Sequence, residues 1–192
     1  MKRNLLALVL ALALIATAFQ AQAFDGERQG FMLNLGVGAG QAKWNMSTAG
    51  IDVSLDKTGF GGDFKIGGGI NPQTLLYYTN RTLFYSIEAL DFYTGEPYTA
   101  DFVNGMSAIG VSYFLQPEAP SFFFSGALGI GVLTDSEGSD SESGFGFTLG
   151  AGYEFAKNWI VEGTYMNAKV AEELGIELSI SNLMVSVSWL AY

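Results

Sequence analysis

The sequence predicts an all-β fold: a transmembrane, eight-stranded, antiparallel up-and-down β-barrel. Three observations predict it. First, residues 1–23 read MKRNLLALVLALALIATAFQAQA. Lys2 and Arg3, a short apolar run and Ala21-Gln22-Ala23 make the pattern of a cleaved secretory signal peptide. Second, no later stretch is long and apolar enough for a membrane helix. Yet the chain is 49% hydrophobic and holds 25 Gly, 15 Phe, 9 Tyr and 3 Trp. Third, its segments alternate with period two, large apolar residues on one face and small or polar ones on the other. Without helices, only a closed barrel crosses a bilayer with every backbone group paired.

The alternation is clearest in the middle of the chain. Phe122, Phe124, Leu128, Ile130 and Val132 share one parity, and Phe123, Ser125, Ala127, Gly129 and Gly131 the other. Across the acidic, Ser/Gly-rich segment that follows, Phe145, Phe147, Leu149, Ala151, Tyr153 and Phe155 oppose Gly146, Thr148, Gly150, Gly152 and Glu154. A face of large apolar residues suits lipid, and a face of small ones suits a narrow lumen.

In chain order, Phe24 to Gly30 is a short polar leader. The first strand is Phe31–Trp44, followed by a polar connection, Asn45–Thr58. The second strand is Gly59–Ile70, and Pro72 ends it because proline has no N–H to donate. The third strand, Thr74–Tyr85, has consecutive apolar residues and an unclear parity. Turning Arg81 toward acidic partners in the lumen puts Leu76, Tyr78 and Phe84 on lipid, the cheaper choice. A second loop, Ser86–Tyr98, leads to the fourth strand, Thr99–Leu115. A turn with Pro117 and Pro120 opens the fifth and sixth strands. The seventh strand is Trp159–Lys169, with Glu162, Thr164 and Met166 inward. In the eighth, Ile176–Tyr192, the apolar parity changes near Ser181-Asn182, which predicts a β-bulge or a frame change there. Short connections at one end and longer, acidic ones at the other match short periplasmic turns and external loops. Residues 24–192 thus form a single domain.

Composition excludes several functions. There is no cysteine and no histidine, which closes thiol chemistry and most acid–base and imidazole–metal chemistry near neutral pH. Without residues 1–23, 7 basic side chains face 19 acidic ones, a net charge of −12. That argues against nucleic acid. Gly36-x-Gly38-x-Gly40 and Gly67-Gly68-Gly69 lie mid-strand with no following helix, so they are packing glycines and not phosphate loops. Glu172-Glu173 and the Glu88/Asp91 pair have no nucleophile beside them. No catalytic residue, cofactor or resident metal is assigned.

Two groups of charges remain. Asp63, Lys65, Glu154 and Glu162 fall on inward parities, together with Arg81. They read as a lumen charge network that fills the barrel, since eight strands leave room only for side chains. Asp135, Glu137, Asp140 and Glu142 form an external acidic loop. Its spacing does not match an EF-hand, and it reads as a solvated tip bridged to lipopolysaccharide by divalent ions.

The signal peptide, GFMLNLGVGAG as a first strand, FKIGGGINPQTLLYYTNR as strand–turn–strand, and a chain ending in Tyr192 after VSVSWLA carry a resemblance. With these motifs the chain resembles the small outer-membrane β-barrel family of Gram-negative bacteria, the OmpX/OmpA-like eight-stranded class. The resemblance implies an outer-membrane location and a C-terminal strand, with Trp189 and Tyr192, read by the barrel-insertion machinery. Tyr192 departs from the pattern, being out of phase with Val185, Val187 and Trp189. Barrel enzymes of this kind rely on histidine, which this chain lacks. The expected function is therefore non-enzymatic: a monomeric barrel with a filled lumen whose acidic loops contact surface partners or lipopolysaccharide. The alternative is a narrow porin-like conduit for small or hydrophobic molecules, as in the OmpW-like branch. A soluble lipocalin-like barrel is disfavoured by the inward Gly, Ser, Thr and charges.

Overall fold

In the computed structural model, residues 28–48, 51–90, 95–135, 141–173 and 176–192 are described. The predicted signal peptide, Asp91, Glu137 and Asp140 lie outside them. Eight strands run in order: β1 (Gly30–Thr48), β2 (Ile51–Asn71), β3 (Thr74–Leu90), β4 (Pro97–Phe114), β5 (Ser121–Asp135), β6 (Ser141–Ala156), β7 (Trp159–Glu173) and β8 (Ile176–Ala191). Each pairs antiparallel with its neighbours, and β8 pairs with β1 to close the barrel.

The stagger of the closure follows from the register. One ring of opposed residues runs Leu33, Ile66, Tyr78, Ile109, Leu128, Phe147, Asn167 and Ser181. It then returns to β1 at Lys43, ten residues beyond its start. Rings that climb in this way mean strands tilted to the barrel axis around a narrow interior that side chains can fill.

The predicted facing holds. Phe122, Phe124, Leu128 and Ile130 on β5, and Phe145, Leu149 and Phe155 on β6, lie exposed on the outer wall. Leu76, Tyr78 and Phe84 face out while Arg81 is buried, which resolves β3. Two expectations change. The first two loops are shorter than expected, because β1 and β2 extend to Thr48 and Ile51, and β3 and β4 to Leu90 and Pro97. Beyond the bilayer both faces of a strand are wetted, so the apolar alternation fades although the backbone ladder continues. There is also no bulge at Ser181-Asn182. The β1–β8 register is unbroken from Leu33↔Ala191 to Thr48↔Ile176. Ile180 and Leu178 are inward residues of an apolar lumen layer, with Ile180 fully buried. The register shift at this end falls on β7, between Lys169 and Ala171.

Local chemistry closes the short turns. The Asn71 side chain accepts a hydrogen bond from the Gln73 N–H at 2.9 Å, the local bond that favours Asn in turns. Asn158 sits at φ 70°, a left-handed conformation that Asn tolerates better than most side chains.

Candidate functional site

Inward side chains fill the lumen in three layers. The turn end is closed by Arg28, from the segment read as a polar leader. Its guanidinium reaches Glu154 on β6 through Nε at 2.9 Å and pairs with it again through Nη2. Nη1 donates to the Gln116 carbonyl at 2.7 Å and the Pro72 carbonyl at 3.3 Å. The same group lies 4.0 Å above the Phe114 ring. Glu154 also accepts from the Tyr192 hydroxyl at 2.7 Å and the Asn158 N–H at 3.1 Å. One arginine thus ties together three turns and the C-terminus. Met32, Leu75, Phe114, Phe123, Ile160 and Leu190 pack around it. A cavity of about 440 Å³ opens outside this plug, where Pro72, Pro117, Glu118, Lys157 and Tyr192 meet.

The middle layer is charged. Glu162 on β7 accepts from Lys65 on β2 at 2.6 Å, Arg81 on β3 at 3.0 Å and Ser125 on β5 at 2.5 Å. Arg81 also binds Asp63 at 3.1 and 3.3 Å, and Lys65 lies 3.6 Å from Asp63. Two cations meet two carboxylates, all buried, so the cluster is internally neutral and each carboxylate is compensated. Its members come from four strands, which the barrel brings to one point.

The outer layer is apolar. Met106, Met166, Met184, Leu83, Leu133, Val170 and Ile180 line it. Asn104 on β4 and Asn182 on β8 span the lumen between opposite walls, exchanging hydrogen bonds at 2.9 and 2.7 Å. Above them Trp44 donates to the Tyr85 hydroxyl at 2.6 Å, and Phe102 meets the Trp44 ring edge-on at 4.9 Å. The void left beside Arg81, Met166, Asn182 and Met184 is about 10 Å³, no larger than one water needs.

The sequence-predicted charges therefore divide. Asp63, Lys65, Arg81 and Glu162 come together, and Glu154 belongs to the turn-end plug. Sequence reasoning missed Arg28, the Asn104–Asn182 bridge and the aromatic cap. Arg28 had one available signal: it is the sole cation between the predicted signal peptide and the first strand. At the loop end Glu142 is exposed and Asp135 half-buried. Among the described residues, no three acidic side chains converge as a metal site would need. Trp189 lies on the outer wall, whereas Tyr192 is buried in the turn-end mouth.

A closed antiparallel barrel with an apolar wall and a packed lumen is the geometry of a bacterial outer-membrane protein, and comparison supports this. Residues 9–189 match the family described as Outer membrane protein beta-barrel domain. The chain belongs to this family. It is accordingly a protein of the bacterial outer membrane, an eight-stranded member. Among solved structures, it is similar to Ail, the attachment invasion locus protein of Yersinia pestis, determined in complex with the heparin analogue sucrose octasulfate. That match has TM-score 0.52 and 13% identity and covers 82% of this chain and 98% of that chain. Neisserial surface protein A matches at 16% identity and TM-score 0.49, covering 83% of this chain and 96% of that one. OprG of Pseudomonas aeruginosa matches at 10% identity and TM-score 0.49, covering 86% of this chain and 97% of that one. These likenesses are of fold. No curated protein sequence matches the chain.

Proposed function

We propose that this protein is a closed, non-enzymatic outer-membrane barrel that acts at the cell surface through its loop end. The observation that carries the reading is the filling of the lumen by the described side chains. A bonded arginine plug, a neutral charge cluster and an apolar layer follow one another from turn end to loop end. A barrel so filled offers partners only its outer surfaces. The acidic loop of Asp135, Glu137, Asp140 and Glu142 supports contact with cationic surfaces or with lipopolysaccharide through divalent ions. An absence of enzymatic activity is supported by the lack of histidine and cysteine and by the compensation of every carboxylate in the lumen. We read the protein as a monomer, inserted by recognition of its last strand.

Single-channel recording of the refolded protein in a planar bilayer tests closure. A silent bilayer, with insertion shown independently, is the expected result. Steady, reproducible openings would overturn the filled-lumen reading. The methionines and aromatics that line the outer lumen favour a second reading, a conduit for small hydrophobic molecules. That reading requires the bridge between Asn104 and Asn182 to part. Asn104→Ala with Asn182→Ala, which removes the bridge, would then speed uptake of an apolar dye into proteoliposomes. Uptake unchanged by the double substitution would count against a conduit.

A further inference from the structure

We propose that the slot between β2 and β3 at the loop end takes an extended peptide segment of alternating apolar and basic residues, paired through its backbone to both strand edges. The ladder between these two strands stops early. It runs from Asn71↔Thr74 at the turn to Phe60↔Phe84 and goes no further, although β2 reaches Ile51 and β3 reaches Leu90. On their other sides both strands stay paired. β1 holds β2 to Thr48↔Ile51, and β4 holds β3 to Leu90↔Pro97. Two ladders therefore diverge above the last shared rung, and each presents an unpaired backbone edge to the other.

The side chains explain where the seam opens. Phe60 and Phe84 stack at 5.6 Å on the outer wall, both exposed, as aromatics do at the edge of the hydrocarbon band. Below that level an open edge would leave backbone groups unpaired in lipid, and there the ladder is intact. Above it the outward positions become polar: Thr58, Asp56 and Ser54 on β2, Ser86 and Glu88 on β3. Continued in the same register, the ladder would set Asp56 directly opposite Glu88, a like-charge pair that destabilises antiparallel strands. Neither carboxylate has an ion-pair or hydrogen-bond partner among the described residues.

The same features define the occupant. Open edges on both sides fit an extended chain, which satisfies them with its own N–H and C=O groups. The shorter edge, residues 85–90, takes a segment of about 20 Å. Its outward side chains meet Asp56 on one side and Glu88 on the other. Asp101 stands next to them, accepting from Ser86 at 2.6 Å. Lys43, opposite Asp56 on β1, offsets part of this charge but leaves the rim acidic, so the outward side chains are basic. Inward side chains meet Leu55, which is exposed, and Ile87, which packs on the layer of Leu83 and Tyr85. Lys57 lies on that inner side, opposite buried Ala42, so the inward side chains are apolar and not basic. This inference rests on the reading of the loop end as the working surface and names its partner. It does not depend on closure of the lumen.

The test titrates the refolded mature chain, in maltoside micelles, with a fluorescein-labelled alternating valine–lysine peptide of about seven residues, followed by anisotropy. Wild type is expected to bind. Asp56→Asn/Glu88→Gln should bind about tenfold more weakly, the loss expected of two exposed ion pairs. Asp56→Lys/Glu88→Lys should reject this peptide and accept an alternating valine–glutamate one. Glu118→Gln, at the turn end, should change nothing. Methylating alternate backbone nitrogens of the peptide keeps its charges and side chains but removes its donors, and should abolish binding. In the complex, amide exchange should slow at residues 54–58 and 86–88. Heat-modified gel migration establishes that each variant is folded. Absence of wild-type binding would overturn the proposal, as would full binding of the methylated peptide, wild-type affinity in Asp56→Asn/Glu88→Gln, or unchanged amide exchange. If Glu142→Gln alone weakened binding, the slot would fall while contact through the acidic loop end stood.

Discussion

Glu154 shows how one residue recruits a segment that looked incidental. A carboxylate with no exposure at the turn end of a narrow barrel needs a cation. The lysine and arginine of the middle layer are committed to Asp63 and Glu162. Arg28 meets the need from outside the strand ladder, and in doing so satisfies the Pro72 and Gln116 carbonyls and covers Phe114. Arg28→Ala should therefore destabilise by about 3–5 kcal/mol, the usual consequence of leaving a buried charge unpaired. Arg28→Met with Glu154→Gln should recover most of that loss, because no charge is then stranded. Urea unfolding in a lipid bilayer measures both. Equal losses in the single and double variants would mean that packing, not charge pairing, sets the role of Arg28.

At the scale of the strand, period-two alternation carries nearly all the information, and it succeeds or fails for a physical reason. On β5 and β6 one face meets hydrocarbon and the other a crowded lumen, so size and polarity report facing directly. On β3 the consecutive Leu75, Leu76, Tyr77 and Tyr78 hide the parity, and the charge of Arg81 restores it. On β8 the lumen is itself apolar around Ile180, so Leu178 and Ile180 mimic a lipid-facing run and suggest a bulge that the ladder does not contain. The extensions of β1 to β4 beyond the bilayer are invisible to alternation, because water bathes both faces there. The facing of β6 yields a direct comparison. Leu149→Arg, on the outer wall, should cost about 2–4 kcal/mol, whereas Thr148→Ser, in the lumen, should be nearly silent. Unfolding experiments that find the two alike would reverse the assigned faces.

For the whole molecule, the fold was legible from the predicted signal peptide, the aromatic content and the strand count. Asp63, Lys65, Glu154 and Glu162 were legible from parity, and Arg81 from the cost of turning its charge to lipid. The partition of those charges was not, since register decides which inward residues share a level, and register is set by closure of β8 on β1. Arg28 was illegible for a related reason: a residue before the first strand has no parity to read. Among the described residues, side chains occupy the lumen from the Arg28 plug to the Trp44 and Phe102 rings, which supports the proposal that the protein works through its outer surfaces.

Packing of the lumen can be tested by thiol labelling, because the chain has no cysteine. Thr164 faces the lumen at 2% exposure. A single Thr164→Cys variant, folded into liposomes, would be treated with a charged, membrane-impermeant thiol reagent, beside a control, Ala156→Cys, at the exposed turn-side end of β6. In a packed lumen, the control is labelled rapidly and a thiol at position 164 stays unmodified until the barrel is unfolded. Labelling of position 164 at a rate comparable to the control would mean that water and ions reach the lumen, and that the barrel is not packed.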